Sequence, residues 1–194
     1  MSGKRLRIAP SVLILMLFIL WNDRTGVTLL TLTAALLHEG GHFLAARLMR
    51  IDLREMRLDF LGARLEIEGR MLSFGEEWLL CAAGPMTSLL GAMVAALFWK
   101  ASPAVGIFSC ASLVLGVLNL LPIRSFDGGR MLECALYAWV DERLAAAILR
   151  GISFAFLFLL WSLAVYFLLR AGDGLSLFCF SLALFLRFFE DEKS

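Results

Sequence analysis

The sequence predicts an all-α polytopic membrane protein of about six transmembrane helices, with a small membrane-associated β-hairpin after the second. Three observations predict it. Of 194 residues, 60% are hydrophobic and 18% charged, with mean hydropathy +0.82, against about 45–50% apolar and about 25% charged in soluble domains. Uncharged runs recur along the chain at lengths near the roughly 20 residues that a bilayer requires. The basic residues are sorted by loop, as the positive-inside rule demands. These features exclude a disordered chain, an ordinary cytosolic domain and a nucleic-acid binder resting on a basic surface. The net charge of +1 points to neither an acidic nor a basic partner, and no nucleic acid is expected.

The expected spans are about 8–22, 25–48, 77–99, 102–123, 146–169 and 173–189. Ile8 to Trp21 follows Lys4, Arg5 and Arg7 as a signal peptide would. No small-residue cleavage site follows, so the run reads as a short first span or uncleaved anchor. The last run is the shortest. With a cytoplasmic N-terminus and alternating spans, fifteen of the eighteen basic residues fall on the inner side, leaving only Arg24, Lys100 and Arg170 outside. Both termini are then cytoplasmic.

Residues 51–70 do not span. Met56, Leu58 and Phe60 alternate with Arg57 and Asp59, and Leu65 and Ile67 alternate with Arg64, Glu66 and Glu68. Period two on both sides of Leu61-Gly62-Ala63 predicts a β-hairpin with its open edge at the cytoplasmic face. Gly128 to Val140 reads as a short interfacial helix. No repeat, linker or appended soluble domain is visible. Cys81, Cys110, Cys134 and Cys179 lie far apart in apolar runs and read as small buried hydrophobes.

The two histidines of the chain both lie in His38-Glu39-Gly40-Gly41-His42. Four residues apart on a helix, they share one face about 6 Å apart, so two imidazoles can bind one tetrahedral metal ion. Glu39 flanks that face without competing as a ligand and is placed to take a proton from a metal-bound water. This is the H-E-x-x-H pattern of zinc peptidases. A carboxylate costs about 2.5 kcal/mol or more at the centre of a membrane helix, which favours a functional metal site over an accidental match.

Catalytic zinc takes a third protein ligand and keeps a position open. Asp127 is the candidate, in Asn119-Leu120-Leu121-Pro122-Ile123-Arg124-Ser125-Phe126-Asp127-Gly128-Gly129-Arg130. Pro122 ends or bends the fourth helix, and irregular backbone at membrane depth lines protein or a wet cavity. Asp127 fits equally as the N-cap of the segment that follows, and spacing alone leaves both readings open. Asn119 fits a helix–helix hydrogen bond. Two small-residue stripes, Gly84-Ser88-Ala92-Ala96 and Ala34-His38-His42-Ala46, are expected to pack helices closely.

HEGGH in the second span, Ala82-Ala83-Gly84-Pro85 in the third and NLLPIRSFDGGR after the fourth together resemble the site-2 protease family of intramembrane zinc metalloproteases. The closest likeness is to the branch containing stage IV sporulation protein FB, over roughly residues 25–135. The resemblance implies one Zn²⁺ per chain held by His38, His42 and Asp127, with Glu39 catalytic, Asn119 helping to hold substrate and the 51–70 hairpin beside the membrane. It implies a multi-pass protein of the bacterial cell membrane that cuts a membrane protein or peptide near the cytoplasmic side. A sigma-factor precursor, an anti-sigma factor or a leftover signal peptide would suit as substrate. Ser125 stands where members often carry proline, and no CBS or PDZ domain is present. The alternative is a membrane transporter or ion-binding protein using the same His/Glu site without cleavage; an inactive, non-cleaving relative is a further reading.

Overall fold

The computed structural model describes residues 5–8, 23, 25–51, 53–59, 62–67, 72–171 and 175–191. Of the expected first span at about 8–22, residues 9–22 lie outside the described residues, as do the hairpin tip at 60–61 and the last three residues. The chain divides into two compact units, Met1–Asn119 and Leu120–Ser194.

In the first unit, strand β1 (Arg5–Ile8) precedes helix α1 (Val27–Leu48), strands β2 (Leu53–Asp59) and β3 (Gly62–Ile67), and helices α2 (Phe74–Leu97) and α3 (Pro103–Asn119). β2 pairs antiparallel with β3, Met56 opposite Leu65 and Asp59 opposite Gly62. β1 pairs parallel with β2, Arg5 opposite Glu55 and Ile8 opposite Leu58, in the order β1-β2-β3. The sequence reading took Lys4 to Arg7 as a basic flank and did not anticipate this strand. Four residues carry too little alternation to declare themselves.

Helix termini follow local chemistry. The carboxylate of Asp23 accepts hydrogen bonds from the backbone N–H groups of Thr25, Gly26 and Thr28 and from the Thr25 hydroxyl, so it satisfies donors at the start of α1. These bonds, the Thr25 hydroxyl foremost, hold its carboxyl well below the usual carboxylate range. At the other end Arg50 adopts φ 55°. Ile51 N–H donates to Ala46 O at 2.9 Å and Arg50 N–H to Arg47 O at 3.2 Å, the paired bonds of a Schellman motif. Ala46, Ile51 and Leu80 form a small buried cluster beneath it. Helix α2 starts at a capping box: Ser73 Oγ accepts from Glu76 N–H, and Ser73 N–H donates to the Glu76 carboxylate.

The second unit holds α4 (Asp127–Leu136), α5 (Glu142–Ala171) and α6 (Leu175–Asp191). Asp141 Oδ1 accepts from Leu144 N–H at 2.9 Å and begins α5. Phe154 meets Phe185 edge to face with ring centroids 6.2 Å apart, seating α6 on α5. The loop before α4 is tied at two points: Phe126 N–H donates to Ile123 O, and Arg124 N–H donates to the Ser153 hydroxyl, which in turn donates to Pro122 O. A side-chain carbon on Gly128 would strike the Leu120 carbonyl, and one on Gly129 the Ile123 carbonyl. The Gly-Gly pair is therefore what lets the loop lie on the helix. These bonds hold the loop without a proline at 125.

Several expectations need correction. Among the described residues two helices, Phe74–Leu97 and Glu142–Arg170, are long and apolar enough to cross a membrane, while Pro103–Asn119 and Leu175–Phe189 are apolar but shorter. α1 has 22 residues, and its His-Glu-Gly-Gly-His stretch lowers its hydropathy. The fourth helix stops at Asn119 rather than 123, because Pro122 cannot donate to the preceding turn and disfavours helix before it. The interfacial helix runs from Asp127 to Leu136 rather than 128–140. Cys81 and Cys134 are buried, but Cys110 and Cys179 are exposed. Leu36, Met93 and Leu97 are exposed by 71, 62 and 80%, a surface suited to lipid and costly in water.

Candidate metal centre

His38 and His42 stand one turn apart on α1 and are both buried, at 4 and 8% exposure. Each ring is gripped from behind by α2. His42 Nδ1 lies 2.8 Å from Leu80 O. A carbonyl only accepts, so Nδ1 carries the hydrogen and Nε2 presents a lone pair. His38 Nδ1 lies 2.9 Å from the hydroxyl of Ser88, which is fully buried. Since His42 meets Leu80 and His38 meets Ser88, the two helices run antiparallel.

Gly84, between Leu80 and Ser88 on the same stripe of α2, makes the arrangement possible. A side-chain carbon there would overlap the His42 imidazole, and one on Gly41 would overlap Thr87 and the Ala83 carbonyl. Pro85, next in the chain, donates no backbone hydrogen bond inside the helix.

The outcome is that the two Nε2 atoms face each other at 3.3 Å, with the rings nearly perpendicular at 78°. Two nitrogens bound to one tetrahedral zinc at 2.0–2.1 Å are about 3.3–3.4 Å apart. Buried imidazoles fixed at Nδ1 and converging through Nε2 also have the outer support that metal-bound histidines require. The pair therefore fits zinc in distance and donor chemistry. Glu39, between them in sequence, is half-buried on the same helix.

Asn119 is the last residue of α3, and its Nδ2 donates to Leu115 O at 3.0 Å. That bond lies within its own helix, so the helix–helix bond considered from sequence is not what its amide nitrogen makes. Asp127 lies in the second unit, half-buried, as the first residue of α4. The N-cap there is Phe126, with extended backbone and no side-chain cap bond, so Asp127 stands one position inside the helix from the cap position read as one alternative for it. The helix terminus favours a negative charge at that position. Sequence reasoning missed Leu80 and Ser88 as imidazole partners. The small-residue stripe through Gly84 and Ser88 was the available signal and pointed only to packing.

Over 98% of this chain and 91% of the other, the fold matches the solved site-2 protease from Methanocaldococcus jannaschii, with TM-score 0.68 and 22% sequence identity. The fold is that of a site-2 protease. Residues 95–163 match the model of peptidase family M50, a stretch that includes Asn119 and Asp127. Rip3 of Mycobacterium tuberculosis, classed as a zinc metalloprotease, is 28% identical over 138 residues, 66% of this chain and 35% of the relative, in both strain Erdman and strain H37Rv. The chain thus spans about a third of the length of the curated relatives that it matches.

Proposed function

We propose that the protein is a zinc-dependent intramembrane endopeptidase of the site-2 protease type, embedded in a bacterial cell membrane with both termini in the cytoplasm. The observation that carries the reading is the convergence of two buried Nε2 atoms at 3.3 Å, one residue from the carboxylate of Glu39. The M50 match and the relatives classed as zinc metalloproteases support it. Asp127 supplies the third donor, giving two imidazoles and one carboxylate, a set that catalytic zinc uses.

Zinc, when bound, polarises the scissile carbonyl and acidifies a water. Glu39 takes the proton of that water and delivers it to the leaving amine nitrogen. His38 and His42 remain neutral donors, held by Ser88 and Leu80. The substrate is a membrane protein or membrane-bound peptide, such as a sigma-factor precursor or an anti-sigma factor, unwound near the cytoplasmic side so that its carbonyl is accessible. It adds as a strand to the hairpin along β3, because β2 already has a neighbour on each side. Asn119, at the end of α3, helps to hold that strand.

The transporter alternative is less well supported. The cavity of about 800 Å³ between α1 and α3, which Thr31, Ala35, Ile107 and Cys110 help to line, is apolar and has no charged lining residue. The decisive experiment compares membrane peptides in cells carrying wild-type protein or Glu39→Gln. Substrate should accumulate uncut in the variant while its zinc content stays unchanged. Equal cleavage by both proteins would end the metallopeptidase reading.

A further inference from the structure

Two serines of α5 use their hydroxyls differently. Ser162 Oγ donates to Phe158 O at 2.7 Å, within its own helix, the usual habit of a helical serine. Ser153 is fully buried, and its hydroxyl serves the loop before α4 in both of its capacities. It accepts from Arg124 N–H at 3.0 Å and donates to Pro122 O at 3.3 Å. Pro122 and Arg124 lie beyond the end of α3, where no helical ladder pairs their backbone groups. The residue between them, Ile123, is 1% exposed. Its carbonyl accepts from Phe126 N–H at 2.8 Å and lies against Gly129, where a side-chain carbon would strike it. Phe126 is the N-cap of α4, and Asp127 follows it. One hydroxyl of α5 thus grips the loop on both sides of Ile123, and Ile123 in turn bonds the residue at which α4 begins.

We propose that Ser153 is a positioning residue for the metal centre. By holding Pro122 and Arg124 it fixes the segment that carries the Asp127 carboxylate, acting through the backbone. The proposal rests on the zinc-site reading above, in which Asp127 is the third donor, and adds what keeps that donor in place. Leu80 and Ser88 do the same for the two imidazoles. A donor on a loosely held segment binds metal weakly, because its order has to be supplied at the moment of binding. Ser153→Ala would take the partner from a backbone N–H and a carbonyl at once and release the loop from α5.

The Zn²⁺ affinity of the full-length protein in detergent, measured by competition with a chromophoric chelator, tests this as a cycle with Asp127→Asn. Ser153→Ala should weaken zinc binding about 10-fold, the low end of the cost of losing a partner that orients a ligand. In the Asp127→Asn background, where the carboxylate no longer serves the metal, the same change should cost less than about twofold. General loosening of the structure would weaken the residual site in both backgrounds alike. Ser162→Ala, on the same helix, should bind zinc like wild type. Should Ser153→Ala fail to fold, as read by circular dichroism and gel filtration, Ser153→Cys takes its place with the same expectations, since a thiol is a weak donor and acceptor. Equal losses in both backgrounds would overturn the proposal, as would wild-type affinity in Ser153→Ala or an equal loss in Ser162→Ala; these outcomes leave the zinc-site reading standing. Wild-type protein that takes up no zinc, or Asp127→Asn that binds it like wild type, would overturn that reading and the proposal with it.

Discussion

Leu80 holds His42 through a single bond, backbone carbonyl to ring Nδ1–H at 2.8 Å, across 38 residues of sequence. A main-chain acceptor cannot be removed by a point substitution, so the His42 tautomer is protected from mutation in a way that the Ser88–His38 pair is not. What mutation can reach is the space in which the His42 ring sits.

Gly84→Ala tests that space. Alanine improves helix propensity by about 1 kcal/mol, yet its Cβ would occupy the position of the His42 ring. The variant should keep its helical circular dichroism and lose zinc, with affinity down at least about 10-fold. Metal content after gel filtration checks this, and full zinc loading would show that the imidazole has another place to go.

Purified protein should hold about one zinc per chain, removable by chelator, and none in His38→Ala or His42→Ala. Asp127→Asn separates ligand from structure. An amide is a poor zinc donor, so metal and cleavage should both fall sharply. Thermal stability of the zinc-free protein, measured alongside, separates loss of a ligand from loss of structure. Unchanged zinc in Asp127→Asn would remove it from the ligand set.

Acid should loosen the start of α1. The Asp23 carboxyl is held below its ordinary range, so its bonds stabilise the fold above the unfolded value of about 3.9 and are lost as pH falls below that. Thermal unfolding between pH 7 and pH 3 should show this decline in wild type. Asp23→Asn should be less stable at pH 7 and nearly flat over the same interval. A wild-type curve as flat as that of the variant would rule out the linkage.

Arg50 sits exposed in left-handed backbone at the end of α1. That conformation costs an L-residue about 1–2 kcal/mol, and the unfolded freedom of glycine offsets about 0.5–1 of it. Arg50→Gly should therefore stabilise the protein by about 0.5–1 kcal/mol, read as a higher denaturation midpoint. A lower midpoint would mean that the guanidinium makes a contribution larger than the strain.

The sequence and the structure part company where geometry ceases to be local. His38, Glu39 and His42 were legible because four residues on one helix define their own spacing. Leu80 and Ser88 were not, because their contacts span 38 and 50 residues and depend on how α1 and α2 slide past each other. Pro122 announced the end of α3 to within a few residues. Gly128-Gly129 announced unusual backbone, but only the Leu120 and Ile123 carbonyls lying against them explain why two glycines are needed. β1 was invisible for the same reason: its partner Glu55–Leu58 lies fifty residues on.

That last pairing constrains how the chain is threaded. Strands that exchange hydrogen bonds occupy one compartment, so Arg5–Ile8 and Leu53–Asp59 stand on the same side of the bilayer. The polypeptide between them must cross an even number of times, whichever side that is. The ribosome also releases Arg5 long before Glu55, so the first strand waits for its partner until the intervening chain has been inserted, and the sheet closes only if that insertion had the correct parity. The parallel ladder is thus compatible only with insertion of that parity, and compartment reporters fused ahead of β1 and within the hairpin should agree.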